Sequence, residues 1–233
     1  MDMKRIILFM TAVMIAASCN VSDADFDNPT TDEFMTDYCN ELFVDKVSRN
    51  IQYFYNAYYI GRFISGDAQL KVSPEYDVIR IGLSGESGKY GFGNDTYDFN
   101  GEDFFSNTGV CSVKASYWRS IAIAALSEGK WAMVMDDGTV LEFTVKDETE
   151  DGIVLNMNID GLMTEGNAYA VRFTAEDMEV DIRHNKIGRI ASKSISGMMD
   201  VNFLRSEKPL KTCSMTFDPD GSISCTIIDH MAD

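Results

Sequence analysis

Histidine is almost missing from this chain of 233 residues, and although acidic residues abound, none can be paired for catalysis from the sequence alone. His184 and His230 are its two histidines, and neither has a second histidine or a cysteine at metal-ligand spacing, which leaves a transition-metal centre without a ligand set. No serine stands in a nucleophile elbow. The glycines from Gly82 to Gly93 lack the lysine and the strand-to-helix setting of a phosphate loop, and they read as a hairpin instead. Basic residues are in short supply: 20 Lys and Arg stand against 37 Asp and Glu, for a net charge of −17. Such a surface repels phosphate backbones, which excludes nucleic acid as a partner. The apolar run at residues 6–17 also falls short of the roughly 20 residues that a membrane-spanning helix needs.

What that short run does have is the layout of a secretory leader. Lys4 and Arg5 precede it, and Ala16, Ala17 and Ser18 lead directly into Cys19. This arrangement resembles the lipobox of bacterial lipoproteins, although Ala16 stands where that family more often has Leu. The resemblance implies cleavage before Cys19 and acylation of its thiol and new amino terminus. At ~0.8 kcal/mol per buried methylene, two or three chains would tether the protein permanently. A plain cleaved signal and an anchor helix are the competing readings. Behind Cys19 the chain is acidic, with Asp23, Asp25 and Asp27. That stretch resembles the surface-export signal of Bacteroidetes lipoproteins, so the expected address is the outer membrane, facing either the cell surface or the periplasm.

Five cysteines are present. With Cys19 acylated, Cys39, Cys111, Cys213 and Cys225 remain and permit up to two bridges. Asp218, Pro219, Asp220 and Gly221 suit a type I turn with Gly in the left-handed position. In that register Cys213 faces Ile227 and Met215 faces Cys225. The two thiols are then diagonal on one face, so both read as small core hydrophobes rather than a bridge. Cys213, Met215, Phe217, Ile223, Cys225 and Ile227 form one expected buried face.

From residue 131 to 228 apolar and polar residues alternate. Leu141, Phe143 and Val145 alternate with Glu142, Thr144 and Lys146; Ile153, Leu155, Met157 and Ile159 follow, then Tyr169, Val171 and Phe173, then Met178, Val180 and Ile182, then Met199, Val201 and Phe203. Period two over short runs predicts antiparallel strands with one wet face, eight in this region. Turn chemistry separates them at Asp136 to Gly138, Glu150 to Gly152 and Thr164 to Asn167. Upstream, residues 77–83, 88–94 and 110–118 read as further strands, whereas residues 119–126 and 186–196 fit either a strand or a helical turn. Phe34, Tyr38 and Leu42 recur every four residues, predicting a helix from Thr31 that ends between Val47 and Tyr59.

The expected fold is mainly β: an antiparallel meander of about eight to eleven strands closing as a barrel, or alternatively a two-sheet β-sandwich, with an N-terminal helical segment. The C-terminal half resembles the calycin or lipocalin-like domains; Gly129, Lys130 and Trp131 have the Gly-x-Trp spacing, though in mid-chain. The segments are then a signal peptide at 1–18, an acidic tether at 19–30, a helical aromatic segment at 31–63 and a β domain at 64–233.

Two groups of residues are candidate sites. Asp95, Asp98, Asn100, Glu102 and Asp103 supply the hard oxygen ligands that calcium prefers, in what reads as a tight loop, although no EF-hand pattern is met. Tyr53, Phe54, Tyr55, Tyr58, Tyr59 and Phe63 are more aromatics than one buried helix face needs. Ile51, Phe54, Tyr55 and Tyr58 would face the core, leaving Tyr53 and Tyr59 for a ligand. His184 has the parity of an inner rim position. The function expected is a membrane-tethered, non-catalytic binding module for a hydrophobic small molecule or a glycan. The alternative is a structural or assembly lipoprotein meeting another envelope protein.

Overall fold

A computed structural model describes residues 32–64, 78–84, 87–92, 94–100, 104–105, 109–115, 120–165, 169–185, 190–205 and 207–230. The chain divides into two compact units, Met1–Tyr38 and Cys39–Asp233. Of the first, only the opening turns of a helix are described; the second contains the fold considered below. Cys19, Glu102 and Asp103 lie outside the described residues.

Helix α1 spans Asp32–Leu42, passes without a break into a π-helical stretch at Phe43–Ser48, and continues as α2 over Arg49–Ile64. The Arg49 N–H donates to the Val44 carbonyl, the wider spacing that marks the π turn. Twelve strands follow: β1 (Val78–Ser84), β2 (Ser87–Phe92), β3 (Asp95–Asn100), β4 (Val110–Lys114), β5 (Ser120–Ser127), β6 (Lys130–Met135), β7 (Val140–Thr149), β8 (Gly152–Glu165), β9 (Tyr169–His184), β10 (Ile190–Arg205), β11 (Lys208–Phe217) and β12 (Ile223–Asp229). All twelve belong to one antiparallel sheet in sequence order, so the strands do not separate into the two sheets of a sandwich. Among the described residues no ladder joins β12 to β1.

Several expectations meet the backbone directly. The ambiguous stretches resolve as strands, β5 and the start of β10. Residues 95–100, expected as a loop, form β3. Seven strands rather than eight occupy the region from residue 131, because the two runs ending in Phe173 and beginning at Met178 are one strand, β9. Their opposite parity comes from a bulge: the register slips between Met157 and Ile159 on β8 and between Ser196 and Met199 on β10. Asp177 takes φ 55° at the slip. Its N–H donates to Asn158 Oδ1 at 2.9 Å, and its carboxylate accepts from Asn156 Nδ2 at 2.7 Å. The extra residue restores the inward phase, so Phe173, Ala175, Met178 and Val180 are all buried. Gly161 serves the same wall differently: a Cβ there would sit 2.1 Å from the Phe173 ring, so only glycine lets that ring cross the backbone.

The hairpin β11–β12 has the expected register, Cys213 opposite Ile227 and Met215 opposite Cys225. Its cysteines do not stay apart. Cys213 and Cys225 form a disulfide across a Cα separation of 6.1 Å, correcting the reading of two unbridged core residues. Strand twist brings one diagonal pair on a face within reach, which a flat register diagram hides. The buried face also stops earlier than expected: Cys213, Met215 and Phe217 are buried, but Ile223 on the edge strand is 44% exposed. Cys39 and Cys111 are free and buried. Burial pushes the Cys39 thiol up to about 12 and the Cys111 thiol well above its ordinary value, so both act as apolar filling.

The inner face of the sheet meets the helix from many directions. Phe43 packs on Phe217 of β11 at 4.4 Å, and Phe54 stacks on Phe143 of β7 at 4.1 Å and meets Trp131 of β6 edge-on at 5.9 Å. Asn56 Nδ2 donates to the Tyr97 hydroxyl of β3 at 3.0 Å, and Lys193 of β10 donates to the Ser48 carbonyl at 2.9 Å. With contacts from β3, β6, β7, β10 and β11 along the helix, none of residues 53–61 is exposed, whereas Val44, Arg49 and Gln52 nearer its start are. Tyr53 is accordingly buried at 8% exposure along with Ile51, Phe54, Tyr55, Ala57, Tyr58 and Ile60. A helical stretch buried on every side belongs inside a fold, and burying each of its large apolar side chains contributes about 1.5–3 kcal/mol.

Candidate functional site

The C-terminal half of α2 ends in an open cleft of about 580 Å³ between the helix, the β7–β8 hairpin and the end of β9. Tyr55, Tyr58, Tyr59 and Arg62 come from the helix, Glu148, Thr149, Glu150, Gly152 and Ile153 from the hairpin, and His184 from β9. Helical spacing puts Tyr55, Tyr58, Tyr59 and Arg62 on one side within two turns. The hairpin is held close: a Cβ on Gly152 would lie 2.2 Å from the Ile182 carbonyl oxygen, and the His184 N–H donates to the Asp151 carbonyl at 2.9 Å. Arg183 donates to Thr149 Oγ1 at 3.2 Å and is ion-paired to Asp181 at 2.8 Å. These bonds fix where His184 emerges.

Three rings gather on one side. Tyr55 and Tyr59 stack with centroids 6.1 Å apart, and the His184 ring lies 6.1 Å from Tyr55 and 5.8 Å from Tyr59. On the other side Tyr58 donates to Glu148 Oε2 at 2.7 Å, while Arg62 Nε is 2.8 Å from Glu148 Oε1. Burial pushes the Tyr58 phenol up, its hydrogen bond to Glu148 and that carboxylate's charge add to the effect, and Arg62 opposes it. Burial, helped by Tyr59, raises the Tyr55 phenol too. Both phenols are therefore proton donors at every physiological pH. The Tyr55 hydroxyl and His184 Nδ1 are buried and have no hydrogen-bond partner among the described residues, a state that costs about 1–3 kcal/mol per group. Such an arrangement offers aromatic faces, hydroxyl donors and carboxylate acceptors together.

Of the two tyrosines singled out from the sequence, Tyr59 borders this cleft, half-buried, and Tyr53 does not. Tyr55 and Tyr58, assigned to the core, are both buried and part of the lining. Glu148 and Glu150 carried no sequence signal beyond a turn, because 90 residues separate Tyr58 from Glu148. Of the calcium candidates, Asp95, Asp98 and Asn100 are drawn out along β3. There Tyr97 and Phe99 are buried, while Asp98 and Asn100 alternate with them on the opposite face from Asp95. Among the described residues no group of three or more His, Cys, Asp or Glu side chains could hold a metal ion. His230 pairs through Nε2 with Thr212 Oγ1 at 2.8 Å, far in sequence from the cleft. No described helix is long and apolar enough to cross a membrane. No protein-family model, curated protein or solved structure matches this chain.

Proposed function

We propose that this protein is a non-catalytic glycan-binding module of the bacterial cell envelope, tethered to the outer membrane by lipid on Cys19. The observation that carries the binding half is the cleft in which Tyr59, Tyr55 and His184 lie beside carboxylates and unpartnered polar atoms. Rings with polar tips suit a sugar, which presents an apolar face and a rim of hydroxyls. A hydrophobic ligand fits less well. In a lipocalin-like barrel it would occupy the interior, and here α2 fills the space in front of the sheet's buried face with Phe54, Tyr58 and Ile60. The lipocalin-like reading is retained as a proposal about how the sheet curls, with the helix taking the place of the ligand. The anchoring half rests on the leader and the acidic stretch after Cys19.

Two measurements test this. Screening the full-length chain in detergent against a glycan array should give binding that Tyr59→Ala weakens about tenfold or more, the scale on which aromatic contacts anchor recognition sites. A folded protein that binds no glycan ends the proposal. Mass spectrometry of the native amino terminus should find an acylated Cys19, and an unmodified terminus removes the tether.

A further inference from the structure

We propose that the cleft takes an uncharged hexopyranose, read by the Tyr55 hydroxyl and His184 Nδ1, and rejects acidic sugars. This rests on the reading of the cleft as a glycan site and adds which sugars enter it. Native folds leave few buried polar atoms unpaired, so two of them bordering one cleft call for an explanation. A sugar hydroxyl supplies both needs, since it accepts from the phenol and either accepts from or donates to the imidazole nitrogen. Tyr55 is only 3% exposed. Side chains bordering the cleft therefore shift before a sugar reaches the Tyr55 hydroxyl, while the half-buried Tyr59 ring, which contacts the Tyr55 and His184 rings, remains the face on which the sugar rests. Side-chain rearrangement of that size is common at binding surfaces.

Charge sets the exclusion. Glu148 and Glu150 line the cleft, and its guanidinium, Arg62, is already ion-paired to Glu148. The whole chain carries −17. A uronate or sulfated sugar meets this field unfavourably at every distance within the screening length, whereas a neutral ring does not.

The test titrates the full-length chain in detergent with cellotriose, maltotriose, mannotriose and trigalacturonic acid at low and high salt. At least one neutral trisaccharide should bind, and trigalacturonic acid should be about tenfold weaker or worse at low salt, with the gap narrowing at high salt. Tyr55→Phe should weaken the neutral ligand about fivefold to tenfold, the loss of one hydrogen bond, while melting no lower than the parent. A purely structural Tyr55 would leave affinity unchanged. Should Tyr55→Phe fail to fold, His184→Leu removes the second atom and serves the same comparison. Equal or tighter binding of trigalacturonic acid, or unchanged affinity in the variant, overturns the inference; a loss in Tyr59→Ala alongside either result leaves the glycan site standing. If no sugar in any class binds, the underlying reading falls as well.

Discussion

The two ends of the buried helical segment are finished in opposite ways. At the π-helical end, charged groups lock the helix to the sheet: Lys46 is ion-paired to Asp137 in the β6–β7 turn, and Lys193 donates to both the carbonyl and the hydroxyl of Ser48. At the far end the rings of Tyr55 and Tyr59 open onto a cleft. Unpaired polar atoms alone do not distinguish the two, since Asn50 Oδ1 and Thr139 Oγ1, near the π-helical end, are also buried without partners among the described residues. What distinguishes them is an orphan atom beside a cavity large enough for a sugar. At the cleft end Tyr58 and Arg62 are bonded to Glu148, while the Tyr55 hydroxyl and His184 Nδ1 beside the cavity are left without partners among the described residues.

The largest effect tests whether both ends hang on one core. Phe54 lies between them and is fully buried against Phe143 and Trp131. Phe54→Ala should cost about 3–5 kcal/mol in chemical unfolding, since the void cannot collapse around a helix held from several strands. A loss below ~1 kcal/mol would mean that the helix is not the centre of the fold. The contrast between the ends would then have no basis.

Next comes the wall behind the π-helical end. Phe217, which packs on Phe43, belongs to the same strand as Cys213, and the disulfide ties that strand to the edge strand β12. Replacing both cysteines with alanine should cost about 2–4 kcal/mol. Amide exchange should quicken in β11 and β12 and leave the β7–β8 hairpin unchanged. Equal loosening of both regions would dissolve the distinction between a locked end and an open one.

A smaller effect has a pH signature. Burial opposes ionisation of Asp137, but hydrogen bonds from Lys46 and Thr139 outweigh it and hold the carboxyl below its ordinary range. A group whose folded pKa is depressed contributes stability above its unfolded pKa and loses it as pH falls through the folded one. Asp137→Asn should therefore be about 0.5–1 kcal/mol less stable at neutral pH, and the gap should close on acidification below about pH 4. A gap independent of pH would assign the loss to packing.

The alternation of β7 to β9 made the sheet legible, since every run with one wet face emerged as a strand. The bulge at Asp177 was not legible, because a parity change reads equally as a turn between two strands. Tyr53 shows a deeper limit: sorting a helix into core and solvent faces presumes one buried side, and here strands approach from several. The sign of this was in the sequence, as residues 50–61 contain no charged side chain. Tyr59 could be singled out from aromatic crowding, but its neighbours could not. Glu148 and His184 reach it from β7 and β9, and only the fold puts them there.

The smallest expected effect compares the same chemistry at both ends. The side chains of Lys46 and Asp137 are 15% and 29% exposed, those of Arg62 and Glu148 40% and 32%. A double-mutant cycle over Arg62→Met and Glu148→Gln should give a coupling below ~0.5 kcal/mol, because solvent screens the pair and both side chains give up rotamer freedom to form it. The corresponding cycle over Lys46→Met and Asp137→Asn should exceed it, since its drier partners are screened less. Glu148→Gln should instead register in binding: with one negative charge removed from the cleft, discrimination against trigalacturonic acid should shrink while stability barely changes. If the two coupling energies are equal, burial does not separate the ends, and the Arg62 pair belongs to the scaffold as much as the Lys46 pair does.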